Sequence, residues 1–251
     1  MTNDKLIVAL DVDSTARARQ LISELREHVG LFKVGSQLFT AAGPEIVREI
    51  VRSGSRVFLD LKFHDIPNTV AAAGVEATRL GVSIFNVHAA GGGEMMERTA
   101  DAVSRVAESE GLSRPAVIAV TVLTSADATT LEATGVAAEP KAHVLRLAAL
   151  AAKSGMDGVV ASTHEVSSIR AEVTRPGFLI VTPGVRPGGT PHDDQKRVMS
   201  PAAAIRAGAD YLVVGRPITG ADDPIAAAMA ISAEMESSTK SLAHEEGTAG
   251  R

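Results

Sequence analysis

The chain has 251 residues, 45% of them hydrophobic, which is enough for a sizeable core in one or two compact domains. A net charge of −5, an aromatic content of 3% and the absence of tryptophan argue against a general nucleic-acid surface or a base-stacking platform. Having no cysteine, the chain can use neither disulfides nor thiol catalysis nor Cys-ligated zinc.

The residues before the first apolar run have no basic leader pattern, so no signal peptide is expected and cytoplasm is the default. Stretches such as Pro115–Leu123 are too short to cross a bilayer. Lys5–Val12 predicts the first strand, closed by Asp11. The turn after it reads Asp11-Val-Asp-Ser-Thr, which offers a helix N-cap where a dinucleotide-binding fold would carry a glycine loop. A helix is expected over Ser14–His28. Leu31–Val34 predicts strand two and carries Lys33, an awkward place for an ammonium unless it is paired or reaches solvent. A helix over Gly43–Ser53 follows.

Strand three, Arg56–Lys62, is the most informative segment. Side chains alternate along a strand, so Asp60 and Lys62 share one face while Leu59, Leu61 and Phe63 take the other. Charges pointing together into a core are costly to desolvate even when paired. A register-fixing ion pair would explain them structurally; a catalytic pair would explain them functionally. Asp65 lies past the strand, just before Pro67 and a helix over Asn68–Leu80.

Ser83–Val87 predicts strand four, ended by His88, with a helix over Gly92–Glu108. Ala116–Val122 predicts strand five, followed by Thr124 and Ser125, either of which can hydrogen-bond a heterocycle or a helix end. Then come a helix over Pro140–Ser154, strand Gly158–Val160, a helix over His164–Glu172 and strand Phe178–Val181. The run Val181-Thr-Pro-Gly-Val-Arg follows, with Pro183, Gly184 and Arg186. Between Pro183 and Ser200 the segment exceeds the usual βα loop and suggests a lid containing Gln195. A helix over Pro201–Ala207 leads to strand Tyr211–Val214, which ends in Gly215-Arg216-Pro-Ile. Asp223–Glu236 predicts a last helix, and residues 237–251 a frayed tail.

Eight short apolar strands alternating with helices match an α/β fold of the (β/α)8, or TIM, barrel type, filling residues 1–236 as one catalytic domain. A doubly wound open sheet is the runner-up. In a barrel the carboxyl strand ends carry the chemistry, and the loops after strands seven and eight commonly hold phosphate. Gly184 and Gly215 would let backbone N–H groups approach an anion there, with Arg186 and Arg216 as charge-assisted donors. A magnesium site on Asp11, Asp60 and Asp65 is poorly supported, because Lys33 and Lys62 lie among these carboxylates and would repel a cation. No metal and no cofactor motif is read from the sequence.

Seven segments, in order from residue 8 to 218, resemble the orotidine 5′-phosphate decarboxylase family. They are Val8-Ala-Leu-Asp, Phe32-Lys-Val-Gly, Phe58-Leu-Asp-Leu-Lys-Phe-His-Asp-Ile-Pro-Asn-Thr, Asn86-Val-His-Ala, Thr121-Val-Leu-Thr-Ser, Val181-Thr-Pro-Gly-Val-Arg and Val214-Gly-Arg-Pro-Ile. The resemblance implies a cofactor-free carboxy-lyase that converts orotidine 5′-monophosphate to UMP, as a homodimer with its active sites at the subunit interface. Lys33, Asp60 and Lys62 of one subunit would work with Asp65 of the other, and Ile66 and Thr69 would reach across with it. Asp11 and Lys33 would bind the ribose hydroxyls and Thr124 would face the pyrimidine. Pro183, Arg186, Gln195, Gly215 and Arg216 would line the phosphate end. The competing readings are a magnesium-dependent aldolase or decarboxylase of the 3-hexulose-6-phosphate synthase kind, and a non-catalytic nucleotide-phosphate sensor.

Overall fold

The computed structural model describes residues 2–137, 139–186 and 199–249. Eight parallel strands close into a barrel in sequence order: β1 (Leu6–Ala9), β2 (Leu31–Gly35), β3 (Val57–Phe63), β4 (Ile84–His88), β5 (Ala116–Val120), β6 (Gly158–Val160), β7 (Leu179–Pro183) and β8 (Tyr211–Val214). Closure comes from β8 pairing with β1, Leu6 opposite Leu212 and Val8 opposite Val214. The expected (β/α)8 architecture is therefore the observed one. Among the described residues no helix is long and apolar enough to cross a membrane.

The strands bury both faces, as parallel strands under crossover helices must. Outward residues such as Leu6, Val8, Phe32, Leu59 and Phe85 pack into a large layer beneath the helices. Inward residues Ile7, Leu31, Phe58, Ile84, Ile118, Val181 and Val213 fill the barrel itself. Each such buried side chain stabilises by about 1.5–3 kcal/mol relative to exposure, which gives the fold a reserve against the polar groups stacked above this plug.

Going up the strands, the inward positions change character. Ile7 and Ala9 lead to Asp11, Leu31 leads to Lys33, Phe58 to Asp60, and Ile84 to Asn86. The lower end of the barrel is thus a dry plug, and charge is confined to the carboxyl end.

Local chemistry explains the helix ends. Ser14 caps the helix Thr15–Leu25, its Oγ accepting the Arg17 N–H at 3.2 Å. Pro67 opens the helix Pro67–Arg79 at a position where no N–H is needed.

Some boundaries differ from expectation. The predicted helix Gly43–Ser53 is present as Glu45–Arg52, and an unexpected short helix, Ser36–Ala42, precedes it, ended where Gly43 takes a positive φ of 64° and Pro44 restarts the chain. The last helix runs Pro224–Ala249 and does not stop at Glu236. The stretch Ser237–Glu246 lacks both proline and glycine, so loss of an apolar stripe there removes the packing signal without forbidding helix. Of the lid expected between Pro183 and Ser200, residues 187–198, Gln195 among them, lie outside the described residues.

Gly158 begins β6 with no room for a side chain: a Cβ there would lie 2.3 Å from the Leu179 carbonyl oxygen on β7. Backbone cannot yield as a side-chain tip can. Gly158→Ala should therefore lower stability by about 1–3 kcal/mol, the usual cost of overpacking. Thermal unfolding checks this at about 2–4 °C per kcal/mol, and an unchanged midpoint would mean that β6 and β7 separate without cost.

Candidate active site

Four charged side chains at the ends of β1, β2 and β3 form a continuous chain of alternating sign. Lys33 Nζ donates to Asp11 Oδ1 at 3.0 Å and lies 3.2 Å from Asp60 Oδ2. Lys62 Nζ donates to the other oxygen, Asp60 Oδ1, at 2.7 Å. Strand pairing makes these contacts possible, since Ala9 is opposite Lys33 and Gly35 is opposite Asp60. Gly35 leaves room for this pair: a Cβ on it would sit 2.8 Å from Lys33 Nζ and 3.0 Å from Asp11 Oδ1, so a side chain there would push the two tips aside. Lys33 and Asp60 are buried, Lys62 is part-buried and Asp11 is half-exposed.

Burial by itself would raise the Asp60 carboxyl. The nearby Lys33 and Lys62 ammoniums, with hydrogen bonds from Lys62 and Asn86, outweigh that and hold it below the usual carboxylate range. Asp60 is accordingly an anion with both oxygens engaged. It fixes two ammoniums while leaving the set of four neutral overall.

Lys62 has an unusual backbone. Among the described residues it alone, glycine aside, has positive φ, at 52°. The cause is visible in the register between β3 and β4. Leu59 is opposite Phe85 and Phe63 is opposite Val87, so four steps on β3 match two on β4. Two extra residues are accommodated in a bulge, a device that bends a strand and re-aims a side chain. An even insertion preserves face parity, which is why Asp60 and Lys62 still meet as simple alternation predicts. Leu61 and Phe63 still pack outward, Phe63 against the Phe85 ring at 6.0 Å.

Above the barrel plug is a cavity of about 560 Å³. Asp11, Lys33, Asp60 and Lys62 line it together with Thr124, Pro183, Arg186, Gly215 and Arg216. The structure thus gathers nine of the expected residues around one space. Of the pair after β5, Thr124 is the one on the cavity.

Asp65, Ile66 and Thr69 are not brought to it. All three are exposed, Ile66 by 66%, and Asp65 Oδ1 accepts the N–H of Ile66 at 2.6 Å. His88 is part-buried, with its ring 5.5 Å from that of His64. Burial pushes its imidazole pKa down, and His64 and Lys62 push the same way against Asp60.

Asn86 escaped the sequence reading as a site residue. It is fully buried on β4, its Nδ2 donates to Asp60 Oδ1 at 2.7 Å, and its Oδ1 accepts the Lys62 backbone N–H at 2.8 Å. The available signal was an amide inside an otherwise apolar run, Ile84-Phe-Asn-Val.

Among the described residues no cluster of three or more His, Asp or Glu is placed to hold a metal ion. The carboxylates of Asp11 and Asp60 are instead engaged by ammoniums.

A sequence model of the Orotidine 5′-phosphate decarboxylase / HUMPS family matches residues 4–231. A Moorella thermoacetica protein named orotidine 5′-phosphate decarboxylase is 54% identical over 234 residues, spanning 93% of this chain and 92% of the relative. Its Geobacter sulfurreducens namesake is 55% identical over 232 residues, spanning 92% and 96%. Among solved structures, orotidine 5′-phosphate decarboxylase from Lactobacillus acidophilus matches with a TM-score of 0.80 at 38% identity, over 92% of this chain and 98% of that one. The Pyrococcus horikoshii enzyme matches at 0.73 and 25% identity, over 92% and 99%. With the match running through all eight strands and through every residue of the charged chain, this protein belongs to the orotidine 5′-phosphate decarboxylase / HUMPS family.

Proposed function

We propose that this protein decarboxylates orotidine 5′-monophosphate to UMP and carbon dioxide, the last step of pyrimidine nucleotide synthesis, without a cofactor. The observation that carries this reading is the Lys62 ammonium, held 2.7 Å from a buried carboxylate at the floor of a cavity that also holds two arginines. The aldolase reading within the same family is weaker, because Lys33 lies between Asp11 and Asp60, where a divalent cation would need their oxygens. Both relatives described above by sequence are named orotidine 5′-phosphate decarboxylase. This chemistry fits a cytoplasmic enzyme.

Breaking the bond between C6 and the carboxylate leaves an electron pair on C6 that no conjugated system absorbs. The stabilisation must be electrostatic and in place beforehand. Lys62 supplies it: its ammonium faces the developing carbanion, then transfers a proton to C6 and is reprotonated from solvent. Asp60 keeps that ammonium charged and aimed. Lys33 and Asp11 bind the ribose hydroxyls, and Thr124 faces the pyrimidine. Pro183, Arg186, Gly215 and Arg216, with Gln195, hold the phosphate end. Gripping a group that does not react contributes binding energy that can assemble the charged site.

The reading includes a homodimer. Asp65, Ile66 and Thr69 stand exposed beyond their own cavity, a placement that suits them to reach a neighbour's. Asp65 of the partner subunit would then face Lys62 as the second carboxylate.

Purified protein given orotidine 5′-monophosphate and excess EDTA should form UMP, followed by pyrimidine absorbance, and Lys62→Ala should abolish this while the protein stays folded. No UMP from well-folded wild-type protein would sink the reading.

Arg216→Ala should remove charge-assisted bonds to the phosphate, lowering kcat/KM about 10- to 100-fold for losses of roughly 1.5–3 kcal/mol. A substrate lacking the phosphate should be nearly indifferent to the change. Equal losses for whole and truncated substrates would contradict the assignment.

Mixing tests the shared site. Lys62→Ala and Asp65→Ala proteins should each be almost inactive alone. After subunit exchange, about half the dimers are mixed and each has one intact site, so activity should recover to roughly a quarter of wild type. If mass spectrometry confirms exchange and activity does not return, Asp65 acts within its own subunit.

A further inference from the structure

We propose that Asn86 is a positioning residue for the decarboxylation: it locks Lys62 in its left-handed backbone and orients Asp60, so that the ammonium is presented in one direction. This inference rests on the decarboxylase reading and adds a residue to it.

The first argument is backbone satisfaction. Lys62 falls in the skipped part of the β3–β4 ladder and has no register partner on either neighbouring strand. A buried N–H left unpaired costs about 1–3 kcal/mol. The Asn86 carbonyl oxygen supplies the missing acceptor at 2.8 Å. A non-glycine residue with positive φ persists only when its surroundings over-determine it, and this hydrogen bond is the nearest such constraint.

The second argument concerns the other end of the same amide. Nδ2 donates to Asp60 Oδ1 at 2.7 Å, the same oxygen that accepts from Lys62 Nζ at 2.7 Å. The amide must be oriented this way round, because an N–H needs an acceptor and a carboxylate needs donors. Asn86 therefore touches Lys62 through its backbone and Asp60 through its carboxylate. One rigid, fully buried side chain sets the relation between the root of the lysine and the anion that holds its tip. Aspartate could accept from the backbone but would set a second anion against Asp60. An aliphatic residue could do neither. The requirement is for a donor and an acceptor on one short planar group, which is what asparagine provides.

The test pairs kinetics with binding and pH. Asn86→Ala should lower kcat about 100-fold, the scale expected when a catalytic group is displaced by about an ångström. Affinity for UMP, measured by calorimetry, should stay near wild type, because the phosphate and ribose contacts are intact. Asn86→Asp should introduce a new pH dependence. Its carboxyl, sharing space with Asp60, titrates above the ordinary range. Protonated, it can still donate to Asp60. Relative to wild type, the activity of Asn86→Asp should thus rise as pH falls through that ionisation. A crystal structure of Asn86→Ala should show Lys62 leaving the left-handed region.

An Asn86→Ala enzyme with wild-type kcat would overturn the proposal. So would parallel losses of kcat and UMP affinity, which indicate general damage. If Asn86→Ala does not fold, Asn86→Asp decides: a pH profile parallel to wild type overturns the proposal. Wild-type protein that forms no UMP is a different failure and defeats the decarboxylase reading itself.

Discussion

Everything at the carboxyl end of this barrel is arranged around one carboxylate. Asp60 is buried, yet it engages two ammoniums and an amide at 2.7–3.2 Å. Desolvating such an anion opposes folding, and the opposite charges beside it compensate only when their geometry is good. Removing one member of a buried pair typically costs about 3–5 kcal/mol, because the remaining charge stays behind uncompensated. Here removal of Asp60 would leave two ammoniums facing each other across its place. The site is therefore a neutral, interdependent set, not a collection of separate catalytic groups.

The barrel makes this tolerable by separating two tasks along the same strands. The lower inward positions, from Ile7 through Val213, form a plug of hydrocarbon. Two residues further on, the same inward rows carry Asp11, Lys33, Asp60 and Asn86. Each strand contributes stability at one end and chemistry at the other. The bulge in β3 adds strain of about 1–3 kcal/mol at Lys62, the usual cost of a sparsely populated backbone conformation. A fold with so large an outer and inner core can carry that local cost.

The sequence made the fold legible because eight apolar runs recur with helical spacers, a pattern with few architectural solutions. The charged chain was legible too, because Asp60 and Lys62 two residues apart in an apolar strand have few bland explanations. Three things were not. Asn86 looks like any polar residue in a strand, since its importance lies in meeting a bulge two residues deep on the neighbouring strand, and a bulge leaves no periodic signature. The short helix Ser36–Ala42 is too brief to show a stripe. The helical run beyond Glu236 has propensity without amphipathicity, so its sequence pattern resembles that of a frayed end.

Lysine is a poor choice for precise electrostatics unless it is restrained. Its four-carbon stem carries about 2 kcal/mol of rotamer entropy, and an ammonium that wanders stabilises no particular point in space. In this protein the side chain is constrained at both ends. The left-handed backbone, tied to Asn86, sets where the stem begins, and Asp60 sets where the charge rests. Lys62 is part-exposed and lines the cavity, so the remaining N–H bonds of its ammonium are available to whatever occupies that space. Reorganisation that would otherwise accompany the reaction has then been carried out during folding, and its cost appears as backbone strain and buried charge instead of as an activation barrier.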